Sequence, residues 1–351
     1  MDVAIISFYR GINNRGVERW VNDLTGNLSG KCDFTIYQNS NLPACRGVEI
    51  VNGYVTYQRK IVKSKLLKRF FIDYDSLKIL HFCFKILPKL IFRKHQIIIP
   101  TDGGWESAIV RIICWLTGKK MIIVGHAGVG YDDLNNLWCF PDCFVALSKY
   151  ALMWARKANP FVKLTQIPNG VDTNLFVPFT KPKNGRNVLC VGALTKDKRI
   201  DLVINAVAKI PDLNLTIVGE GEEESYLKNL AFEKLGKRAS FLRVSFDEIP
   251  KLYQNSDLLI SASTKHFSFE MVLIEAMACN LAVIANDDPI RREIVGNAGF
   301  LVDPTKENEF IRLIRKALST NWKDVPRKRA EMYSWNKIAG KYYELFESIS
   351  M

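Results

Sequence analysis

The sequence predicts an α/β protein built on two doubly wound parallel sheets, and three observations support that prediction. The chain has 351 residues, more than a single hydrophobic core usually organises, so two domains are expected. Short apolar, β-branched runs alternate with segments of helical periodicity, which is typical of strand–helix–strand units. Several runs end in loops rich in glycine, serine and threonine, where open parallel sheets place their ligands.

The composition favours a globular protein with an anionic partner. Hydrophobic residues make up 48% and charged residues 24% of the chain, and 49 Lys+Arg against 36 Asp+Glu give a net charge of +13. Such an excess favours a nucleotide, nucleic acid or an anionic membrane surface. The eight cysteines include no C-x2-C pair, so neither a zinc ribbon nor a dithiol redox site is predicted.

The N-terminus does not resemble a secretory signal, and no apolar run is long enough to span a membrane. The expected location is therefore the cytoplasm, with attachment to the cytoplasmic face of a membrane as an alternative.

The chain opens as a strand, a glycine loop and a helix. An apolar run, Val3–Phe8, is followed by Gly11 and Gly16 and then by helical spacing over Val17–Leu28. The loop lacks the G-x-G-x-x-G pattern, so no dinucleotide fingerprint is assigned. Further strands are predicted at Phe34–Tyr37, Val48–Val51, Ile97–Ile99, Lys120–Val124 and Phe144–Ala146.

Residues 59–94 form a basic region in which lysine and arginine alternate with apolar side chains. A pair of basic amphipathic helices on anionic lipid would have this pattern, and so would core-facing helices with solvated lysines. The phenylalanines fall in helical stripes and not on a groove, so nucleic acid is not an expected partner.

Polar residues at two predicted strand ends mark candidate ligand contacts in the first half. Asp102 follows the strand at Ile97–Ile99, and His126 follows the strand at Lys120–Val124, positions where open α/β sheets bind ligands. A lone histidine is usually structural, and that alternative stays open. Asp132 and Asp133 suggest a metal site, but we interpret them as capping the next helix and expect no metal.

The second half repeats the strand–helix pattern. Strands are predicted at Asn187–Val191, Leu215–Val218, Leu258–Ser261 and Leu281–Ala285. A proline- and lysine-rich segment, Phe176–Arg186, is interpreted as the linker. The predicted domains are therefore residues 1–180 and 181–332, followed by an amphipathic helix within 333–351.

The most informative stretch is Asp257–Pro304, whose helix is predicted over Phe269–Cys279. Its first amides, near Ser268, could bind a diphosphate. Small apolar residues follow Glu275, which indicates a helix buried nearly all round, and a buried acid there suits the hydroxyls of a sugar or ribose. Glu270 could simply decorate a helix start, where acids are favoured.

The run EMVLIEAMACNLAVIA resembles the signature of retaining glycosyltransferases of family 4, E-x-F-G-x-x-x-x-E-A-M-A-x-G. The resemblance implies a GT-B fold, two Rossmann-like domains facing across a cleft, with the last helix packing back on the first domain. Glu275 matches the second acid and is implied to bind the ribose of a nucleotide-sugar donor. Phe267 stands where the first acid is expected, so either Glu270 orients the sugar in its place or the chain lacks that contact.

Two further segments resemble the same family. The segment GALTKDKRID resembles G-R-L-x-x-x-K-G-x-D, so Lys198 is implied to hold the donor diphosphate, and Arg199 is the candidate to replace the arginine lost at Ala193. Residues 16–19 resemble G-G-x-E-R, which places Gly16 near the donor phosphate or the acceptor, although an ordinary turn fits equally well. We assign Glu18, with Asp102, to the acceptor side.

The resemblance implies a retaining glycosyltransferase that moves a sugar from a nucleoside-diphosphate sugar to a glycan or lipid-linked acceptor held by the first domain, without metal or cofactor. His126 is expected to line the reacting face, and no covalent nucleophile is assigned. Two alternatives stay open: a GT-B-like nucleotide-sugar epimerase, and a binding protein for nucleotide-sugars or anionic surfaces that has lost catalysis.

Overall fold

The computed structural model describes residues 1–12, 16–43, 47–58, 67, 70–179, 186–265 and 269–350. It divides the chain into unit 1, residues 1–170 with 335–351, and unit 2, residues 171–334. Each unit is built on one parallel sheet. In the described ranges no helix is long and apolar enough to cross a membrane.

The sheet of unit 1 has the strand order β3-β2-β1-β4-β5-β6-β7 and is parallel throughout. Its strands are β1 (Asp2–Ser7), β2 (Asp33–Gln38), β3 (Val48–Asn52), β4 (Ile97–Pro100), β5 (Lys120–Val124), β6 (Cys143–Ala146) and β7 (Leu164–Gln166). The chain leaves β1 in one direction along the sheet and β4 in the other. The loops after these two neighbouring strands therefore flank a topological switch point.

The helices of unit 1 bury apolar stripes against this sheet. They are α1 (Gly16–Leu28), α2 (Tyr74–Phe92), α3 (Trp105–Thr117), α4 (Tyr131–Trp138) and α5 (Lys149–Ala158). Helix α2 shows the helical spacing clearly, since Ile79, Phe82, Ile86 and Leu90 are all buried. Of the predicted helix pair in the basic region, the described residues contain α2; residues 59–66, 68 and 69 lie outside them.

The sheet of unit 2 has the order β10-β9-β8-β11-β12-β13 and is also parallel. Its strands are β8 (Asn187–Val191), β9 (Asn214–Val218), β10 (Ala239–Leu242), β11 (Leu258–Ser261), β12 (Val283–Asn286) and β13 (Gly299–Val302). Strand β10 ends at Leu242, and Ser245 caps the following turn, where its backbone N–H donates to Glu248 Oε2 at 3.0 Å.

The helices of unit 2 are α6 (Ile200–Ala208), α7 (Glu224–Leu235), α8 (Ile249–Gln254), α9 (Met271–Ala278), α10 (Pro289–Val295), α11 (Glu307–Ser319) and α12 (Val325–Ala330). Helix α9 is shorter than the predicted Phe269–Cys279. It begins after Glu270, which has a left-handed φ of 57° and cannot continue a right-handed helix.

The boundary between the units lies at 170/171, ten residues before the expected boundary at 180/181. Residues 171–179 belong to unit 2 because they pack there: the Val171 N–H donates to Tyr333 O at 2.8 Å, and the buried Phe176 ring lies 5.9 Å from that of Tyr253. The interpretation of Phe176–Arg186 as a linker was therefore wrong for Phe176, while residues 180–185 lie outside the described ranges.

The last helix, α13 (Trp335–Ser350), belongs to unit 1. It packs against α1, where Trp335 Nε1 donates to Asp23 Oδ2 at 3.0 Å. The rings of Trp20 and Tyr342 meet edge to face, with their centroids 5.6 Å apart. The two ends of the chain thus complete the same unit.

Candidate functional site

The loops after β8 and β11 meet at the switch point of unit 2. These strands are neighbours, and the chain continues from β8 to β9 on one side and from β11 to β12 on the other. Because all strands are parallel, both loops leave the same edge of the sheet. The Thr264 N–H joins them by donating to Asp197 O at 2.8 Å.

The glycine loop after β9 packs directly against the loop after β8. Gly219 has a φ of 147°, and a Cβ atom there would lie 1.9 Å from Gly192 O, so only glycine permits this close approach. The Leu194 N–H in turn donates to Glu220 O at 2.9 Å. The backbone of the loop that carries Lys198 is therefore fixed by its neighbour.

The carboxylate of Glu270 is the centre of the site. Glu270 Oε1 lies 3.0 Å from Lys198 Nζ, and Oε2 accepts hydrogen bonds from Ser261 Oγ at 2.9 Å and from Arg291 Nε at 3.2 Å. The Glu270 side chain is fully buried, whereas 18% of the Lys198 side chain is exposed. Burial alone would raise the pKa of Glu270, but Lys198 and Arg291, with a hydrogen bond from Ser263, lower it to about 2. Glu270 is therefore ionised at neutral pH.

Arg291 is the functional candidate that the sequence reasoning missed. Its fully buried guanidinium donates from Nη1 to Asp288 Oδ2 at 2.8 Å, and Asp288 Oδ1 caps α10 by accepting from the backbone N–H of Ile290 at 2.9 Å. Its Nη2 has no hydrogen-bond partner among the described residues. The available signal was Asp288-Pro289 after a predicted strand, because this pair marks a helix start at the same sheet edge.

Arg199, the candidate replacement for the missing arginine, holds the loop after β11. Its Nε donates to Ala262 O at 2.7 Å and its Nη2 donates to Ser263 O at 3.0 Å. Burial lowers the pKa of Arg199, an effect that Asp303 and Asp201 oppose. These contacts hold the loop after β11 in place. The predicted contact of Arg199 with a phosphate stays a prediction.

Glu275 lies on α9, five residues after Glu270, and it is buried as the sequence predicted. Its Oε2 accepts a hydrogen bond at 2.9 Å from the hydroxyl of Tyr253, a buried residue of α8. Ser268 and Phe267 lie outside the described residues, so the expected amides near Ser268 are not placed. A small cavity beside Lys198 is lined by Gly192, Ser261 and Ser263, among others.

The candidate residues of unit 1 also lie at the carboxyl edge of their sheet. Asp102 Oδ2 accepts from the Phe8 N–H at 2.8 Å, which ties the loop after β4 to the loop after β1. His126 follows β5 and is half-buried, and its ring meets that of Trp20 on α1 at 4.9 Å. Strand-end loops and α1 therefore bring these two side chains to one edge.

The remaining candidates of unit 1 lie at the start of α1. Gly16 is the first residue of the helix, and Glu18 is a buried acid in its first turn. Residues 13–15, which complete the predicted glycine loop, are outside the described ranges. The acceptor contacts assigned to Glu18, Asp102 and His126 stay predictions.

Asp132 and Asp133 do not cap α4 as expected, because the capping position is Gly130 and both acids lie in the first turn. Asp133 is buried, and burial raises its pKa to about 7 although Asn136 donates a hydrogen bond to it. In the part of the chain that the structure describes, no three His, Cys, Asp or Glu side chains gather as metal ligands.

Comparison with known proteins identifies relatives in sequence. The family model for glycosyl transferases group 1 matches residues 171–336. An uncharacterised glycosyltransferase of Methanocaldococcus jannaschii is 30% identical over 387 aligned positions, which cover 95% of each chain. The phosphatidyl-myo-inositol mannosyltransferase of Mycobacterium tuberculosis is 29% identical over 231 residues, and the match spans 59% of that protein's length and 59% of this chain.

Solved structures share the fold over nearly the whole chain. Sucrose-phosphate synthase from Thermosynechococcus elongatus superimposes with a TM-score of 0.81 at 19% identity, covering 99% of this chain and 98% of its own. HepE from Anabaena, in complex with UDP, superimposes with a TM-score of 0.75 at 19% identity, and the match covers 99% of this chain and 100% of HepE. The two parallel-sheet units thus form a GT-B fold, as predicted. Together with the full-length relative, these findings establish that the chain belongs to the glycosyl transferases group 1 family.

Proposed function

We propose that this chain is a retaining glycosyltransferase that transfers a sugar from a nucleoside-diphosphate sugar to an acceptor. The observation that carries the proposal is the position of Lys198, whose ammonium group is held 3.0 Å from the buried Glu270 carboxylate at the switch point of unit 2. That unit is also the part of the chain matched by the family model. Switch points are the preferred ligand sites of open α/β sheets.

The chemistry of donor cleavage accounts for the residues around Lys198. The departing diphosphate gathers negative charge as the glycosidic bond breaks, so a fixed cation and helix amides nearby stabilise the transition state. Lys198 supplies the cation, and the first turn of α9 supplies the amides. Arg199 holds the adjoining loop, and Arg291 and Glu270 keep the lysine in place.

Glu275 is proposed to bind the ribose hydroxyls, with the Tyr253 hydroxyl fixing the orientation of its carboxylate. Glu270 is proposed chiefly as a positioning residue, because both of its oxygens already accept hydrogen bonds within the protein. Its predicted contact with the sugar requires the buried carboxylate to become accessible when the donor binds. No metal or cofactor is required by this proposal.

Unit 1 is proposed to bind the acceptor through Glu18, Asp102 and His126, and the Gly16 backbone is proposed to approach the donor phosphate or the acceptor. The name of the mycobacterial relative, a phosphatidyl-myo-inositol mannosyltransferase, supports a lipid acceptor, and a glycan on a lipid carrier has the same character. HepE in complex with UDP supports a nucleoside diphosphate as the leaving group. The proposed location is the cytoplasm, where a soluble nucleotide-sugar donor would be present. Nucleic acid is not a proposed partner.

The test is a panel of UDP-, GDP- and ADP-sugars, screened first for thermal stabilisation of the protein. Donors that bind are then incubated with the protein and a membrane-lipid extract, and released nucleoside diphosphate is measured. The proposal expects release that depends on both donor and extract and persists in EDTA. Release of an epimerised free sugar without extract would identify an epimerase instead, and binding without any release would identify a non-catalytic binding protein.

A further inference from the structure

Helix α3 of unit 1 carries apolar residues on the side that points away from the core. Its inner face is buried, and on its outer face Ile112, Trp115 and Leu116 are 53%, 65% and 79% exposed. The two charged side chains of the helix, Glu106 and Arg111, are both buried. Surface helices of monomeric proteins normally present a polar outer face, so this one marks an interaction surface.

The neighbouring helices extend the same surface. Lys119 Nζ donates to Ile91 O at 2.8 Å, which brings the end of α2, with the 84% exposed Phe92, beside the end of α3. Phe84 is also exposed and lies about two turns earlier on α2. On the other flank, the Arg111 guanidinium lies 5.0 Å from the Trp115 ring centroid and donates to Phe140 O at 3.0 Å.

The Phe140 ring lies 5.7 Å from the exposed Trp138 ring at the end of α4. We use the name aromatic face for six exposed side chains of α2, α3 and α4: Phe84, Phe92, Ile112, Trp115, Leu116 and Trp138.

Exposed apolar side chains continue beyond the aromatic face to the start of α3. At the start of the helix, Trp105 is exposed and its Nε1 donates to Phe71 O at 2.7 Å, next to the exposed Phe70 and Ile72. A helix of this length spans roughly 20 Å. Apolar side chains therefore continue to the carboxyl edge of the sheet, where Asp102 lies at the loop after β4.

Positive charge accompanies the apolar side chains. Between Ser76 and Gln96 the chain has Lys78, Lys85, Lys89, Arg93 and Lys94, and it has no aspartate or glutamate. Lys85, Lys89 and Lys94 are exposed. Tryptophan and phenylalanine beside lysine are the residue types that favour the interface of an anionic bilayer. A second copy of this chain is a poorer partner, because it would bring another lysine row against this one.

We infer that the aromatic face, with the lysines of α2, docks unit 1 on an anionic membrane surface. The lysines of α2, which belong to the predicted basic region, supply the charge. Helix α3, which was not predicted to take part, supplies the apolar side chains that enter the interface. Docking presents unit 1 to acceptors in the membrane; this last step rests on the proposed function, whereas docking itself does not.

The test is co-sedimentation of the full chain with phosphatidylcholine vesicles, with and without 30% phosphatidylglycerol. The wild type should bind the anionic vesicles and lose binding as salt is raised. The double variant Trp115→Glu/Leu116→Glu should bind at least about fivefold more weakly, because two charges would enter the interface. Lys85→Glu/Lys89→Glu should weaken binding to the anionic vesicles by a similar factor.

The matched control is Phe232→Glu, which changes an 81% exposed phenylalanine on α7 of unit 2 and should bind vesicles like the wild type. Equal binding by the Trp115/Leu116 variant would overturn the inference, as would equal binding to both kinds of vesicle. A dimer in solution that this variant dissociates would overturn it in favour of a second copy.

Donor affinity separates this inference from the proposed function. The Trp115/Leu116 variant should bind a nucleoside diphosphate like the wild type, measured by calorimetry. Lys198→Ala should lose that affinity and keep its vesicle binding. Loss of vesicle binding in Lys198→Ala would contradict docking through unit 1, and a wild type that binds vesicles but no nucleotide would remove the proposed function alone.

Discussion

Lys198 Nζ and Glu270 Oε1 lie 3.0 Å apart, and the pair joins a partly exposed ammonium group to a fully buried carboxylate. Lys198 follows β8 and Glu270 precedes α9, so two strand–helix units of the sheet converge on one ion pair. A buried carboxylate that serves two cations orients both of them. Glu270 thus orients the cations of the site in unit 2, and the Lys198 side chain is the partly exposed member of the ion pair.

The first prediction concerns nucleotide affinity. Lys198→Ala should weaken binding of the preferred nucleoside diphosphate by about 10- to 100-fold, since a charge-assisted hydrogen bond contributes about 1.5–3 kcal/mol. The fold should persist because Arg291 still pairs with Glu270. Calorimetric titration measures the affinity, and Lys196→Ala, an exposed lysine of the same turn, is the matched control that should bind normally.

The second prediction concerns stability. Glu270→Ala leaves the buried Arg291 with Asp288 as its remaining carboxylate partner, so the free energy of unfolding should fall by about 3–5 kcal/mol. Denaturant unfolding of the variant measures this change. The double variant Glu270→Ala/Arg291→Met should recover none of the loss, because it leaves the buried Asp288 carboxylate without its guanidinium partner. An unchanged midpoint in Glu270→Ala would mean that the pair contributes no stability.

The third prediction is a pH dependence that follows from the lowered pKa of Glu270, about 2 in the folded chain against 4.5 ordinarily. The folded state binds this proton less readily than the unfolded state, so the ionised carboxylate stabilises the fold above pH 5. That contribution, about 3 kcal/mol, is lost as the pH falls from about 4.5 towards 2. The wild type and Glu270→Gln should therefore differ in unfolding free energy at pH 6 and converge near pH 2. A difference that stays constant with pH would contradict this explanation.

The fourth prediction has the opposite sign and concerns Asp133. Burial raises its pKa from 3.8 to about 7, so the folded state binds this proton more readily, and stability is lost as the pH rises from about 4 to 7. Asp133→Asn should be about 2–4 kcal/mol more stable than the wild type at pH 8 and near parity at pH 4. Asp132→Asn, on the exposed side of the same turn, should show a much smaller effect in the same thermal unfolding series.

The fifth prediction concerns the ribose contact. Tyr253→Phe removes the hydroxyl that donates to Glu275 Oε2 at 2.9 Å and keeps the buried ring. The carboxylate should then be less well oriented, and the donor KM should rise about 3- to 10-fold with a smaller change in kcat. Steady-state kinetics against donor concentration measure both constants. An unchanged KM would separate Glu275 from the donor.

The sequence predicts the inner strands of both units well because they are buried on both faces and read as apolar runs. The edge strands β7 and β13 were not predicted, and most of their residues are only half-buried. The start of α9 was placed too early, because a left-handed Glu270 is invisible in helical periodicity. Arg291 was missed because its role comes from a contact with a residue 21 positions away. The observed domain boundary differs from the predicted one because Phe176 packs in unit 2. The proline- and lysine-rich sequence around Phe176 is typical of a linker and gives no indication of this packing.

The outer face of α3 shows another limit of sequence reasoning. A helix that is apolar all round is normally interpreted as fully buried, so Ile112 and Trp115 give no sign in the sequence that they are exposed. Only the position of α3 on the outside of the sheet distinguishes an interaction surface from a core helix.

The most direct measurement of the central claim is transfer of radiolabelled sugar from the preferred nucleoside-diphosphate sugar into membrane lipid, compared between the wild type, Lys198→Ala and Lys196→Ala. The account predicts donor-dependent labelling by the wild type and Lys196→Ala, and a rate at least about 100-fold lower for Lys198→Ala, because the leaving diphosphate loses its cation. Equal labelling by Lys198→Ala, or a wild type that binds donor and transfers nothing, would contradict it.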